Sequence, residues 1–234
     1  MSEHFKGKIA LVTGASRGLG FAVAEALGVA GAQVIAVART VGGLEELDDR
    51  IKAGGGDGAG AVLVPVDITD DPALERLGAA VHERWGRLDL WVHTAVQAPP
   101  RAPVEHVDAK ELDRAVATNL RAVQRLIRVL DPLLRLADGG QAMFCADPSV
   151  EGTAFDGAFA ATRVGQRAIV EAWAKGAASG GIQVRHVLPP AMRTATRARF
   201  YPGKDPADLA APDAVAARLL AALDAEAPAV IDLR

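Results

Sequence analysis

The chain has 234 residues, 50% of them hydrophobic, and its 26 lysines and arginines against 29 aspartates and glutamates give a formal net charge of −3. This length and apolar fraction predict a single domain spanning residues 1–234, with one sizeable core. The balanced charge and an aromatic content of only 4% do not provide the basic, aromatic-rich surface of a nucleic-acid-binding protein, so we expect no nucleic-acid partner.

Short apolar runs alternate with longer amphipathic stretches, which is typical of βαβ units joined by right-handed crossovers. The predicted strands are Lys8–Thr13, Gln33–Ala38, Ala61–Val66, Leu88–Thr94, Gln141–Cys145, Ile182–Leu188 and, as a seventh, Ala229–Leu233. The predicted helices are Leu19–Ala30, Gly43–Ala53, Pro72–Trp85, Asp108–Leu136, Ala158–Ala178 and a last helix beginning at Pro212. The pattern predicts an α/β fold, a doubly wound parallel sheet of about seven strands with helices on both faces, in three αβα layers.

Two local features qualify this pattern. Pro132 is expected to kink or break the longest helix near its end, because proline lacks the N–H that the helix needs. The glycine-rich run Ala53–Gly60 falls between a helix and a strand, so it is expected to be a surface connection within one domain.

Cysteine, histidine and hydropathy patterns exclude several further classes. The single cysteine, Cys145, cannot form an intrachain disulfide, and the five histidines lack metal-ligand spacing, so no metal site is expected. No apolar run approaches the length of a membrane span, and the opening segment has no signal-peptide core. A cytoplasmic protein without a membrane partner is therefore expected.

The stretch TGASRGLG, Thr13–Gly20, follows the first predicted strand and opens the first predicted helix. Glycines at such a turn let the backbone approach a pyrophosphate, and the free N–H groups of the helix N-terminus favour an anion. The position in the first βαβ unit strengthens this hypothesis against the alternative of a merely tight turn. A dinucleotide-binding site is predicted here.

In its TGxxxGxG spacing, the sequence resembles the short-chain dehydrogenase/reductase family, and the resemblance covers nearly the whole chain. It implies a Rossmann-like NAD(P)-binding domain in which Asp67 contacts the adenine and Thr194, in the segment that begins at Pro189, bonds the nicotinamide amide. Asn119 stands at the family's helix-kink asparagine. The implied cofactor-binding residues are Gly14, Ser16, Arg17, Gly18, Leu19, Gly20, Arg39, Asp67, Ile68, Thr94, Ala95, Arg163, Pro189 and Thr194.

The choice of cofactor is argued from charge. No acidic residue ends the second predicted strand, where a carboxylate would hold the ribose hydroxyls of NAD. Arg39 stands there instead, with Arg17 in the glycine turn. The alternative for either arginine taken singly is that it is only a solvated surface residue. Together they favour NADP(H) over NAD(H).

The positions that the resemblance assigns to catalysis are altered. Phe159 and Arg163 replace a tyrosine and a lysine one helical turn apart, and Ala146 replaces a serine. Phenylalanine has no ionisable proton and alanine donates no hydrogen bond. Of the four catalytic side chains that the resemblance implies, Asn119 alone is retained, although Arg163 retains the capacity to hold ribose hydroxyls or a phosphate.

Nearby segments also depart from the family pattern. The NNAG segment that the resemblance implies after the fourth strand reads HTAV here, so His93 and Thr94 replace asparagines and Val96 replaces a glycine. Pro190 replaces a further glycine in the segment after the sixth strand. The sequence leaves open whether Val96 and Pro190 block the nicotinamide end of the site.

Four side chains are candidates for a substitute proton donor or nucleophile. Cys145 and Asp147 flank Ala146, His93 lies at the end of the fourth predicted strand, and Tyr201 lies in the segment after the sixth, where a lid could bring it inward. Each has a simpler interpretation: a small buried hydrophobe, a solvated loop carboxylate, a hydrogen-bonded structural histidine and a lid residue.

Three hypotheses follow. The first is a divergent, NADP(H)-binding homologue without ordinary carbonyl reductase activity. The second is an active NADP(H)-dependent oxidoreductase with a substitute acid. The third is a non-catalytic subunit of a hetero-oligomer with an active homologue. The resemblance implies a homodimer or homotetramer through the predicted helices Asp108–Leu136 and Ala158–Ala178. The small-molecule substrate is unknown. Arg193, Arg197 and Arg199 make an anionic group conceivable, although a solvated basic lid is simpler.

Overall fold

The protein is described from a computed structural model covering residues 3–55, 60–146, 151–203, 205–223 and 227–234. One seven-stranded parallel sheet has the order β3-β2-β1-β4-β5-β6-β7. The strands are β1 Ile9–Thr13, β2 Gln33–Ala38, β3 Ala61–Pro65, β4 Leu90–His93, β5 Gln141–Cys145, β6 Gln183–Leu188 and β7 Val230–Asp232. The predicted fold class and all seven strands are confirmed, with small shifts of the strand ends.

Within the described residues, eight α-helices connect and flank the strands. They are α1 Gly18–Val29, α2 Val41–Ala53, α3 Asp71–Trp85, α4 Ala109–Val116, α5 Ala122–Arg135, α6 Gly157–Ala177, α7 Ala195–Phe200 and α8 Pro212–Ala221. Among the described helices, none is long and apolar enough to cross a bilayer. Part of the predicted connection Ala53–Gly60 lies outside the described residues.

The helices bury the two faces of the sheet in two separate apolar clusters. Leu27 of α1, Leu44 of α2 and Leu219 of α8 belong to the cluster on one face. Leu74 of α3 and Leu126 of α5 belong to the cluster on the other face. Side chains alternate between the faces along a strand, which is why the fully buried residues of β1 contribute to both clusters.

The longest predicted helix is divided in the structure. Between α4 and α5 the chain forms a π-helical turn over Ala117–Arg121, centred on Asn119. The helix is not broken at Pro132, since α5 continues through it to Arg135. Leu130 and Leu133 lie buried on either side of the proline, and their packing on the core holds the last turn in place.

The direction in which successive strands are added to the sheet reverses between the neighbouring strands β1 and β4. Because all of the strands are parallel, their carboxyl ends lie at the same edge of the sheet. Thr13, the last residue of β1, pairs with Val37 on one side and with His93 on the other. Ligands of open parallel sheets bind at such a switch point, outside the carboxyl ends of the strands.

Candidate functional site

A cavity of about 350 Å³ opens at the switch point, along the carboxyl ends of the strands. All of the predicted cofactor-binding residues except Arg163 line it: Gly14, Ser16, Arg17, Gly18, Leu19, Gly20, Arg39, Asp67, Ile68, Thr94, Ala95, Pro189 and Thr194. The lining residues that were not predicted to bind the cofactor are Val37, Ala38, Thr40, Val66, Val96, Thr118, Cys145, Met192, Ala195 and Thr196. Five of these ten, Ala38, Thr40, Val66, Val96 and Ala195, directly neighbour a predicted residue in the sequence.

The glycines of the turn have different structural roles. A Cβ on Gly14 would lie 2.7 Å from the backbone N of Ala95, and one on Gly20 would lie 2.2 Å from Oγ1 of Thr94. That threonine donates its hydroxyl to the carbonyl of Thr13 at 2.8 Å. Gly14 and Gly20 are therefore required because the start of α1 packs directly on the end of β4.

Gly18 differs from Gly14 and Gly20 in having open space beside its Cα. It has a φ of 61°, and a Cβ there would meet only the side chain of Thr194, no closer than 3.5 Å. Arg17, at the N-cap of α1, makes no side-chain capping bond, so the first N–H groups of the helix are not satisfied by that side chain. This end of α1 fits a phosphate group.

Charged side chains surround the end of the cavity formed by β2 and β3. Nη1 of Arg39 lies 3.7 Å from Oδ2 of Asp67, and both side chains are largely exposed. The carboxylate of Asp67 also accepts bonds from the N–H and hydroxyl of Thr69, which fix its orientation. Arg17 and Thr40 line the same end and are exposed, so two guanidinium groups are available to an anion there.

Val96 and Thr118 line the opposite end of the cavity, with Cys145 and Met192. Val96 forms part of the wall at this end, and Pro190 is not among the lining residues. Thr194 is also the N-cap of α7, where its hydroxyl accepts a bond from the N–H of Arg197 at 3.2 Å.

Asn119 is fully buried and uses its whole amide in structural bonds. Its Oδ1 accepts from the N–H of Gln97 and its Nδ2 donates to the carbonyl of the same residue, each at 2.8 Å. Nδ2 also donates to Oγ1 of Thr162 at 2.9 Å. This side chain joins the π-helical turn to the loop after β4 and to α6, and it does not line the cavity.

Phe159 lies in a third, smaller apolar cluster. Its partners are Ala98 and Phe200, with Val96 and Tyr201 packed against them. Phe159 is 8% exposed, so this position carries an apolar ring in an apolar contact. Ala146 follows the end of β5 and donates its backbone N–H to the carbonyl of Val187 at 2.8 Å.

Arg163 is directed away from the main cavity. Its guanidinium donates to the backbone carbonyl of Cys145 and to Oε1 of Gln166. It lines a separate small cavity that also contacts Ala146 and Glu151. The structure therefore brings Ala146 and Arg163 together but does not place Arg163 with the other predicted cofactor residues.

Two titratable groups near the altered positions are unsuited to proton transfer at neutral pH. Burial, together with the charge of Arg163, lowers the pKa of His93 to about 3, and Nδ1 of this ring lies 2.8 Å from Oγ1 of Thr13. Burial raises the pKa of the Cys145 thiol to about 11, against the opposing effect of Arg163. At neutral pH the imidazole is uncharged and the thiol is protonated.

Tyr201 and Asp147 are the two other candidate groups. Tyr201 packs on the cluster of Phe159, and the guanidinium carbons of Arg101 and Arg197 lie 4.9 and 4.2 Å from its ring centroid. Asp147 lies outside the described residues. Within those residues, no group of three or more His, Cys, Asp or Glu side chains is placed to hold a metal ion.

Comparison with protein families matches residues 8–205 to the short chain dehydrogenase family. Among characterised proteins, the chain is 33% identical over 189 residues to a 3-oxoacyl-(acyl-carrier-protein) reductase of Escherichia coli, covering 80% of this chain and 74% of that protein. It is 28% identical over 186 residues to an L-fucose dehydrogenase of Oryctolagus cuniculus, covering 80% of this chain and 63% of that protein.

Solved structures show the same fold and, in some cases, a bound nucleotide. A metagenomic short-chain oxidoreductase in complex with NADP superimposes with a TM-score of 0.81 at 26% identity, covering 99% of this chain and 97% of the other. A short chain dehydrogenase from Escherichia coli CFT073 complexed with NADPH gives a TM-score of 0.91 at 25% identity, covering 99% of each chain.

Proposed function

The chain belongs to the short-chain dehydrogenase/reductase family of oxidoreductases, and on this basis we propose that it binds NADP(H) but does not catalyse ordinary carbonyl reduction. The observation that carries the proposal is the contrast between the two halves of the site. The predicted nucleotide-binding residues gather around one cavity, whereas position 159 is an apolar ring packed on Phe200.

The residues at the cavity fit the parts of a dinucleotide. The open backbone at Gly18 and the N-terminus of α1 suit the pyrophosphate, and Asp67 with Ile68 suits the adenine. Arg17 and Arg39 supply the positive charge that a 2′-phosphate requires, which supports NADP(H) over NAD(H). The related structures that contain NADP and NADPH support the same choice.

When bound, NADPH would supply a hydride to the carbonyl carbon of a substrate. The carbonyl oxygen would also need a proton and a hydrogen-bond donor. Phe159 provides no proton and Ala146 no donor, and Arg163 is directed to the carbonyl of Cys145. Loss of a general acid costs about 10²–10⁴ in rate, and loss of an oxyanion donor costs about 10²–10³. The two factors are not multiplied, because such losses are not additive, but either loss alone supports the proposal.

Self-association through α4, α5 and α6 remains a prediction. Leu112 of α4 and Val164 of α6 leave apolar surface exposed on these helices, which supports it.

The test is a titration of cofactor-free protein with NADPH and separately with NADH, followed by nicotinamide fluorescence, and then an assay of NADPH oxidation with a panel of aldehydes and ketones. We expect saturable binding that is tighter for NADPH, and no carbonyl-dependent oxidation. The variant Ala146→Ser/Phe159→Tyr/Arg163→Lys is expected to retain binding and gain some oxidation. Absence of binding by either nucleotide would contradict the first half of the proposal, and steady oxidation by the unaltered protein would contradict the second.

A further inference from the structure

We propose that the segment Arg193–Tyr201, here called the lid, binds the anionic group of a second, amphiphilic ligand at Arg197. The ligand class is an acyl or aryl chain that ends in a carboxylate or a phosphate. Its apolar body would pack against Val96, Ala160 and Tyr201, the partly buried members of the apolar cluster that contains Phe159. The inference depends on the proposed function only in placing the cofactor in the neighbouring cavity.

Uncompensated charge is the first observation. Within the described part of the chain, no carboxylate lies within 4.0 Å of Arg193, Arg197 or Arg199. Arg101, in the facing loop, differs, because it forms a two-point ion pair with the buried carboxylate of Asp156 at 2.7 and 3.0 Å. The lid therefore carries a local positive charge that the protein does not neutralise.

Arg197 is distinguished from the other two lid arginines by its surroundings. Its Nε is buried and has no hydrogen-bond partner in the described residues, whereas the guanidinium of Arg199 donates to the carbonyl of Ala98. Arg193 is exposed. A buried N–H without a partner costs about 1–3 kcal/mol, so Arg197 is left with hydrogen-bonding capacity that the described residues do not use. The unsatisfied donor therefore points to a ligand at Arg197.

The guanidinium of Arg197 is held in position before any ligand arrives. Its Cζ lies 4.2 Å from the centroid of the Tyr201 ring, and the Cζ of Arg101 lies 4.9 Å from the same centroid. Contact between a cation and an aromatic face orients the cation without neutralising its charge. Asp156 fixes Arg101, so the Tyr201 ring that packs on Arg101 is fixed as well. An anion that binds Arg197 therefore removes little rotamer entropy from its side chain.

Apolar surface adjoins this charge. The third apolar cluster is formed between the lid, the loop after β4 and α6, and its members Val96, Ala160 and Tyr201 are only partly buried. Val96 also lines the cofactor cavity, as does Thr194, which lies one helical turn before Arg197. A ligand with an apolar body and an anionic end would thus contact the cluster and Arg197 together, beside the nucleotide.

The test uses Tyr201, the single tyrosine in the chain, as a site-specific probe. Cofactor-free protein with ring-¹³C-labelled tyrosine gives signals from this ring alone. Octanoate and octyl phosphate, kept below their micelle concentrations, are expected to shift these signals saturably. Octanol and octyltrimethylammonium, which carry the same chain with no charge or the opposite charge, are expected to bind at least about tenfold more weakly.

Matched variants distinguish binding at Arg197 from non-specific binding to the basic surface of the lid. Arg197→Gln is expected to weaken octanoate binding about tenfold or more, and Arg197→Lys to restore part of it, because the charge returns without the two-point geometry. Arg193→Gln removes the same charge from an exposed position of the lid and is expected to change little. Equal loss in Arg193→Gln and Arg197→Gln, or equal binding of octanol and octanoate, would overturn the proposal.

Repeating the titration with saturating NADP⁺ separates this inference from the proposed function. Octanoate is expected to remain bound beside the nucleotide. Its displacement would place the carboxylate in the cofactor cavity and overturn the inference. If NADP⁺ itself does not bind, the proposed function fails, whereas the octanoate result in cofactor-free protein still decides the inference.

Discussion

The ring of Phe159 meets the ring of Phe200 edge-on, with centroids 5.3 Å apart and planes at 80°. This contact joins α6 to the lid helix α7, at the position where related enzymes are expected to carry an ionisable tyrosine. Edge-to-face aromatic pairs add about 0.5–1.5 kcal/mol beyond the area that they bury. The altered side chain therefore has a structural function of its own, in holding the lid against the body of the protein.

Restoring the tyrosine alone is expected to harm the protein rather than activate it. The hydroxyl of Phe159→Tyr would enter the apolar contact with Phe200 and Ala98. A buried hydroxyl without a partner lowers the free energy of unfolding by about 1–3 kcal/mol. We expect this loss in urea denaturation, with no NADPH oxidation in the presence of carbonyl compounds.

A matched control for this substitution is Phe155→Tyr, because Phe155 is 52% exposed. The same hydroxyl would be solvated there, so a change within about 0.5 kcal/mol is expected. If Phe159→Tyr is as stable as the unaltered protein, the ring has room for a hydroxyl and the cluster is less tightly packed than the structure indicates.

Preference for NADPH is expected to depend on Arg39. Arg39→Gln removes one of the two guanidinium groups at the β2 end of the cavity. A charge-assisted bond to phosphate contributes about 1.5–3 kcal/mol, so the Kd for NADPH should rise about tenfold to a hundredfold while that for NADH changes little. Fluorescence titration measures both. Arg76→Gln, on the exposed surface of α3, removes the same charge away from the cavity and should leave both constants unchanged.

The sheet and the nucleotide cavity could be predicted from sequence because both depend on local patterns. Apolar runs of strand length specify buried parallel strands, and the glycine-rich turn directly follows the first of them. Some of the residues missed at the cavity, such as Thr40 and Val66, directly neighbour predicted ones, and a rule that includes the sequence neighbours of each predicted residue would have found them. Met192 and Thr196 have no such neighbour, and this rule would have missed them.

The other half of the site could not be predicted because it depends on long-range side-chain packing. The placement of Arg163 on the carbonyl of Cys145, rather than in the cavity, depends on the direction of its side chain from α6. The contact of Phe159 with Phe200 depends on how the lid folds back. The π-helical turn at Asn119 likewise reflects bonds to Gln97 and Thr162, which are distant in sequence.

The glycine-rich turn Thr13–Gly20 is supported from behind by α2, where two neighbouring glycines differ in the space around them. A Cβ on Gly43 would lie 2.6 Å from the carbonyl oxygen of Ser16, whereas one on Gly42 would meet nothing within 4 Å. Gly43→Ala should therefore displace the turn and weaken NADPH binding at least about tenfold, with a loss of stability of about 1–3 kcal/mol. Gly42→Ala should raise stability by about 0.5–1 kcal/mol through helix propensity and leave binding unchanged. Thermal unfolding and fluorescence titration measure these effects, and equal behaviour of the two variants would show that the turn is not supported by α2.

His93 is buried at the end of β4, between the rings of Trp91 and Phe144. Nδ1 contacts the hydroxyl of Thr13, and Nε2 has no partner among the described residues. Protonation would place a charge in this apolar environment close to Arg163, which is why the pKa of the imidazole falls to about 3.

The stability of the protein should therefore decrease as the pH falls from about 6.5 towards 3. In this range the unfolded chain, whose histidine titrates at its ordinary pKa of 6.5, binds a proton that His93 in the folded protein does not. The free energy of unfolding should then fall by up to about 1.4 kcal/mol for each pH unit.

His93→Asn should flatten this slope, although not completely, because burial also lowers the pKa of His186. His82→Asn, at an exposed position of α3, should leave the slope unchanged. Urea denaturation at a series of pH values measures the slopes, and an unaltered slope in His93→Asn would show that the acid sensitivity arises elsewhere.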